Sequence, residues 1–156
     1  MKIDAFNISS VNTAINNLIN YRNKIDDTFK TEVLELTKKG YEYMISIVRE
    51  NTGNLKNSIS WEYDEAGNKG IIRVGSDYGI FVEFGTGIVG ANSPHPNAES
   101  WKYDVDNHGE QGWWYYDENQ NRYRWTKGQS ANAFVYQTAE YLKKEASEKI
   151  QVIVNG

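Results

Sequence analysis

Tyr78-Gly79-Ile80-Phe81-Val82-Glu83-Phe84-Gly85-Thr86-Gly87 places a single acid inside an apolar run that ends at a glycine. Read with a period of two, the run is a strand: Ile80, Val82 and Phe84 point to one face, Phe81 and Glu83 to the other. A carboxylate among bulky apolar neighbours is costly unless something pairs with it. Gly85 and Gly87 give the backbone an abrupt exit, with amides close enough to satisfy the acid, and Arg73 is a second candidate partner. Glu83 therefore reads as a structural plug at a strand end. The competing reading, a catalytic acid, lacks a second group: no histidine, lysine or acid lies close by in sequence to complete a mechanism.

Upstream, Leu55, Asn57, Ile59, Trp61 and Tyr63 alternate with Lys56, Ser58, Ser60 and Glu62, the pattern of a strand with one wet face. Asp64 to Gly70 is rich in turn formers, and Ile71 to Val74 makes the return strand. Gly75-Ser76-Asp77 then turns into Tyr78–Phe84, so the expectation is a three-stranded antiparallel meander. Before it, Ile15, Leu18, Ile19, Ile25, Phe29, Val33, Leu36, Met44, Ile47 and Val48 recur at helical spacing. Asn12 or Thr13 is the expected cap, Asp26-Asp27-Thr28 a candidate break, and Gly53 the stop. Unbroken from Thr13 to Glu50, the helix would be about 57 Å long at about 1.5 Å per residue. A domain of this size does not cover that length. Either the helix breaks or its excess, around Ile15, Leu18 and Ile19, packs on another subunit or partner.

Downstream, Gly90 to Asn97 reads as loop. The stretch then becomes dense in aromatics: Trp101, Tyr103, Trp113, Trp114, Tyr115, Tyr116, Tyr123 and Trp125. Trp113–Tyr116 and Arg122–Trp125 flank Asp117–Asn121, the pattern of a hairpin with a five-residue loop. Consecutive aromatics in a strand must face both ways, so one face needs a second surface. Three readings stand for this insert: a satellite core, a subunit contact centred on Trp113, Trp114, Tyr116 and Trp125, or a sugar platform. The last would use Glu110, Asp117 or Glu118 as acid and base. Ser130 is the expected cap of a closing helix with Phe134, Val135, Thr138, Tyr141, Leu142, Ala146 and Ile150 on its apolar side. Gln151 to Gly156 is expected to trail off.

The chain has 156 residues and a mass of 17.9 kDa, which suits one domain with a single core. We divide it into a helical arm (1–27), a helix and sheet (28–87), the aromatic insert (88–129) and a closing helix with tail (130–156). Net charge is −4 and the pI about 5.2, so no basic stripe marks a nucleic-acid binder. No cysteine is present, which removes disulfides, thiolate metal sites and cysteine nucleophiles together. The first twenty residues contain no continuous apolar region of a targeting segment, and no apolar run is long enough to cross a bilayer. His95 and His108, with Asp104, Asp106 and Glu110, lack a compact ligand spacing. The calcium-loop likenesses at Asp104 and Asp117 fail at the residues that fix geometry. No catalytic residue, cofactor or metal is expected.

With these elements in place, Tyr78–Gly87, preceded by Asn51-Thr52-Gly53-Asn54-Leu55-Lys56-Asn57-Ser58-Ile59, resembles a family. It is the tail-completion, or head–tail joining (neck), family of long-tailed bacteriophages and phage-tail-like particles. Its members run in the order long helix, TG-x-L-x-x-S-I strand opening, second strand, Y-x-x-(Y/F)-V-E-(F/Y)-G-T strand, variable loop and closing helix. This chain follows that order from about Thr28 to about Lys149. It departs at Ala131-Asn132-Ala133-Phe134, which lacks the proline often found where the closing helix begins. The resemblance implies an α+β fold, a small antiparallel sheet packed against a long N-terminal and a C-terminal helix. It implies a structural virion component, not an enzyme, that forms a ring, hexameric by resemblance, at the head-proximal end of a tail. The partners implied are itself and adjacent tail terminator, tail tube or head-closure proteins. Assembly would take place in a host cytoplasm, without a membrane or sequence-specific nucleic-acid contacts. The competing class is a glycan-binding module or glycoside hydrolase that uses the aromatic insert.

Overall fold

The apolar stripe of the first fifty residues is carried on one uninterrupted helix, α1 (Ile8–Ile47), of 40 residues. The computed structural model describes residues 8–49, 53–103, 111–117 and 120–155. Thr13 does not cap α1; it lies inside the helix and its hydroxyl donates to Ser9 O at 2.9 Å. Nor does Asp26-Asp27-Thr28 break it. Thr28 and Thr31 donate their hydroxyls to Lys24 O and Asp27 O, while Arg22 and Asp26 pair across one turn at 3.7 Å. The Asp26 carboxylate and the Thr28 hydroxyl are thus taken up within the helix instead of ending it. At about 1.5 Å per residue, α1 is about 60 Å long.

After α1 come α2 (Asn54–Asn57), β1 (Ile59–Asp64), β2 (Lys69–Val74), α3 (Gly79–Phe84), α4 (Gly87–Asn92), β3 (Trp113–Asp117), β4 (Arg122–Thr126) and α5 (Phe134–Asn155). The architecture is α+β, with two separate two-stranded antiparallel sheets. In the first, Ile59 pairs with Val74 and Trp61 with Ile72, and the inward residues alternate with exposed ones as the sequence pattern requires. Leu55 does not extend that strand. It sits in the single turn of α2, where the Ser58 hydroxyl donates to Leu55 O at 2.7 Å, and it faces the core.

The core consists of Met44, Val48, Leu55, Ile59, Val82 and Phe134, flanked by Tyr41, Ile45, Ile47, Ile72 and Val74. Fully burying a large apolar side chain is worth about 1.5–3 kcal/mol, so these positions hold the body together. α1 presses closely on the first sheet: a Cβ built at Gly70 would lie 1.7 Å from Thr37 Oγ1. α5 runs beside α1. Tyr43 and Tyr141 stack with ring centroids 4.4 Å apart, Lys39 Nζ meets Glu145 at 2.7 Å, and Lys149 meets Glu32 at 2.6 Å. The hydrogen bond to Glu145 raises the Lys39 ammonium and holds the Glu145 carboxyl below its ordinary range.

The expected third strand is a helix. Tyr78–Phe84 forms no strand; Gly79–Phe84 is α3, and the body has a two-stranded sheet instead of a meander. At helical spacing Gly79, Val82 and Glu83 share one face, and these three are the buried residues of α3. Gly79 lets the helix lie close to Val74 and Leu55, which a Cβ there would meet at 3.0 and 3.3 Å. A six-residue apolar run fits both periods, and packing chooses between them. Similarly, part of the expected loop after Gly87 is the short helix α4. The second hairpin forms where expected, with Trp114 opposite Trp125 and Tyr116 opposite Tyr123. α5 begins at Phe134, not after Ser130, and stays helical through Asn155.

Candidate functional site

Glu83 is 6% exposed and its carboxylate is fully occupied. Oε2 accepts from Val135 N–H at 2.8 Å, and Oε1 accepts from Tyr136 N–H at 3.0 Å and meets His95 Nε2 at 2.9 Å. Asn97 N–H donates to His95 Nδ1 at 2.9 Å, which leaves Nε2 to carry the proton toward Glu83. The first amides of a helix have no partner within it and carry partial positive charge. α5 has no acidic residue in its first turn, so the carboxylate from α3 takes that role across the fold. Neither the Gly85 and Gly87 amides nor Arg73 serve Glu83. Gly85 N–H donates to Phe81 O, Gly87 N–H to Tyr103 O, and Arg73 pairs with Glu62.

Rings enclose the pair. Phe84 packs on His95 at 4.3 Å between centroids and stacks on Trp101 at 4.9 Å, and Tyr136 meets His95 edge-on at 5.4 Å. Trp101 Nε1–H donates to Gly85 O at 3.0 Å. His95 stands between Pro94 and Pro96, the two prolines of the chain, whose fixed φ stiffens its backbone. Sequence reading missed His95 as a partner because twelve residues separate it from Glu83. Its setting between the prolines was the available signal.

The rest of the motif is a backbone junction. Thr86 and Gln129 form an isolated antiparallel bridge, and Gly85 adopts φ 81°. A Cβ at Gly85 would come within 2.7 Å of Ala131 N, and one at Gly128, where φ is 98°, within 1.9 Å of Thr86 O. Ala133 N–H donates to Glu83 O at 3.0 Å and Asn132 N–H to Val82 O at 2.9 Å. Asn132 also closes the end of α1, with its Nδ2 donating to Ile47 O and its Oδ1 accepting from Arg49 N–H. Ser130, the expected helix cap, instead accepts from the Arg49 guanidinium through both its Oγ and its O. Glu83 and Thr86 thus bond to the start of α5 and to Gln129 after the second hairpin, while Ser130 and Asn132 link the same segment to the end of α1.

The second hairpin has two unlike faces. Trp113 and the more exposed Tyr115 line a cleft of about 520 Å³ together with Arg49, Lys56, Tyr78 and Gln129. On the outer face Trp114 meets Trp125 edge-on at 5.5 Å between centroids, and Tyr116 meets Tyr123 at 5.2 Å. All four are exposed, Trp114 at 63% and Tyr123 at 69%. Asp117 is buried at the turn, accepting from Gln120 N–H and Arg124, which makes it a turn former. Elsewhere Ile15, Leu18 and Ile19 lie together on the part of α1 where residues 15–24 are exposed on every side.

The candidates Asp104, Asp106, His108, Glu110 and Glu118 lie outside the described residues. Among the described residues no group of three or more His, Asp or Glu side chains could hold a metal, and no helix is long and apolar enough to cross a membrane. Comparison with protein-family models, with curated proteins and with solved structures gives no match.

Proposed function

We propose that this chain is a structural subunit of the neck of a long-tailed phage or phage-tail-like particle. It would join copies of itself in a ring, hexameric by resemblance, that completes the tail and meets a tail terminator, tail tube or head-closure protein. The observation that supports this reading is the outer face of the β3–β4 hairpin. Four large aromatics stand there in two cross-strand pairs, and all four are exposed. Contiguous exposed apolar surface of this kind is uncommon on a protein that works alone, and Trp and Tyr dominate the energetics of many interfaces. The motif acid favours no chemistry: Glu83 is consumed in holding α5, with its oxygens turned to backbone amides and His95.

The same face carries a second reading, a glycan platform, because an exposed Trp114–Trp125 pair can also stack on sugar rings. The two are separated by substituting Trp114→Ala and Trp125→Ala singly. Light scattering and electron microscopy should show rings or joined particles for the parent. One or both variants, folded by circular dichroism, should lose them, since a central interface aromatic is worth about 2 kcal/mol or more. Unchanged assembly together with loss of binding to a glycan array would replace the structural reading with the sugar platform.

A further inference from the structure

α1 packs along the β1–β2 sheet, and α5 packs on α1. Where α1, β2 and α5 meet, an open groove of about 350 Å³ remains, walled by Leu36, Gly70, Ile72, Val135, Ala139 and Leu142. Its polar lining side chains, Thr37 and Thr138, have their hydroxyls bonded to Val33 O and Phe134 O. No charged side chain lines it. β2 lines the groove with Gly70 and Ile72, two positions on one face of the strand.

The same molecule carries a surface that fits. From Ile8 to Tyr21 the arm of α1 contains no charged residue, although 24% of the chain is charged. Depletion of charge is the mark of an interface centre. Val11, Ile15, Leu18 and Ile19 stand at i, i+4, i+7 and i+8, the spacing by which an amphipathic helix enters an apolar groove. They span about 12 Å of helix, and the α5 wall from Val135 to Leu142 spans about 11 Å. The arm cannot reach its own groove. α1 is continuous, so Leu18 is held about 22 Å beyond Val33, at the near end of the groove.

We propose that the groove between β2 and α5 receives the α1 arm of a second copy of this chain. The proposal rests on the ring reading for the presence of that second copy. Each subunit gives an arm on one side and receives one on the other. Such a head-to-tail contact generates a closed ring when the rotation between copies divides a full turn, and an open filament when it does not.

The chain has no cysteine, so a pair placed in it is unambiguous. Leu18→Cys and Val135→Cys put thiols on two exposed positions, one on the arm and one on the groove wall. Oxidised under assembly conditions, the double variant should give a ladder of covalent multimers on a denaturing gel, while each single variant stays monomeric. Independently, Ala139→Trp fills the groove, and should lower the assembled fraction at least tenfold without changing the circular dichroism spectrum. A covalent dimer from Leu18→Cys alone would mean that arms pair with arms, and would overturn the proposal. Assembly that survives Ala139→Trp and yields no mixed crosslink would remove the groove as receptor and leave the ring standing. A parent that remains monomeric at every concentration, without crosslinks, would remove both.

Discussion

Phe84, His95, Trp101 and Tyr136 close around Glu83, whereas Trp114 and Trp125, and Tyr116 and Tyr123, pair across the hairpin and stay exposed. The two clusters have similar ring content and similar centroid distances. Their difference lies in the polar atoms. Around Glu83 an acid, an imidazole and two helix amides satisfy one another, and the rings seal them from water. On the hairpin the backbone pairs are complete without the outer face, so nothing obliges the chain to cover it. Aromatic density therefore does not itself make a core. Rings can close over polar groups where the fold supplies those groups with partners.

Removing the acid should have the largest effect. Glu83→Leu leaves Val135 N–H, Tyr136 N–H and His95 without their acceptor, and should cost on the order of 3–5 kcal/mol in urea unfolding. Glu83→Gln keeps the shape but supplies one acceptor oxygen and a donor where donors converge, so it should cost about 1–3 kcal/mol. Three N–H groups converge on the carboxylate, so the neutral isostere is not a neutral replacement. If Glu83→Leu melts with the parent, the node is not what holds α5.

An intermediate effect is expected at the junction between the two clusters. Gly128→Ala forces a side chain into a left-handed backbone and against Thr86 O, which should cost about 1–3 kcal/mol. The loss should appear in near-ultraviolet circular dichroism as a disturbed tryptophan environment, because the hairpin is attached through Thr86 and Gln129. The smallest effect belongs to the outer face. Trp114→Ala and Trp125→Ala should change the stability of the isolated chain by about 0.5–1.5 kcal/mol, the worth of one edge-on ring pair. A larger loss would mean that the outer face contributes to the core after all.

Both hairpins were legible because turn formers stand between alternating runs: Asp64–Gly70 in one, Asp117–Asn121 in the other. The long helix was legible from its stripe, and its continuity was not, since Asp26-Asp27-Thr28 has the composition of a break. Thr28 instead turns its hydroxyl to Lys24 O, a choice that local sequence does not announce. Tyr78–Phe84 was misread because seven residues fit either period. Ser130 was misread because the cap of α5 comes from Glu83, some fifty positions upstream in the chain. The need for a partner at Glu83 was visible; the identity of that partner was a tertiary fact. The interface candidates Ile15, Leu18, Ile19, Trp114, Tyr116 and Trp125 are all exposed, while Trp113 turns inward beside Gly87.

The capping of α5 by Glu83 also sets an order of events. An isolated helix pays for its first turn before it gains from later ones, and α5 carries no acid in its first turn to ease that start. Its first residue follows Ala133, which is held at φ 51°, a left-handed conformation unfavourable for a side chain with a Cβ. The start of α5 is therefore stable only once α3 has formed and presented its carboxylate. As the chain emerges from the ribosome, α1, the first sheet and α3 all precede α5, the nearest of them, α3, by about fifty residues. On this order α5 docks onto a carboxylate already in place for its amides.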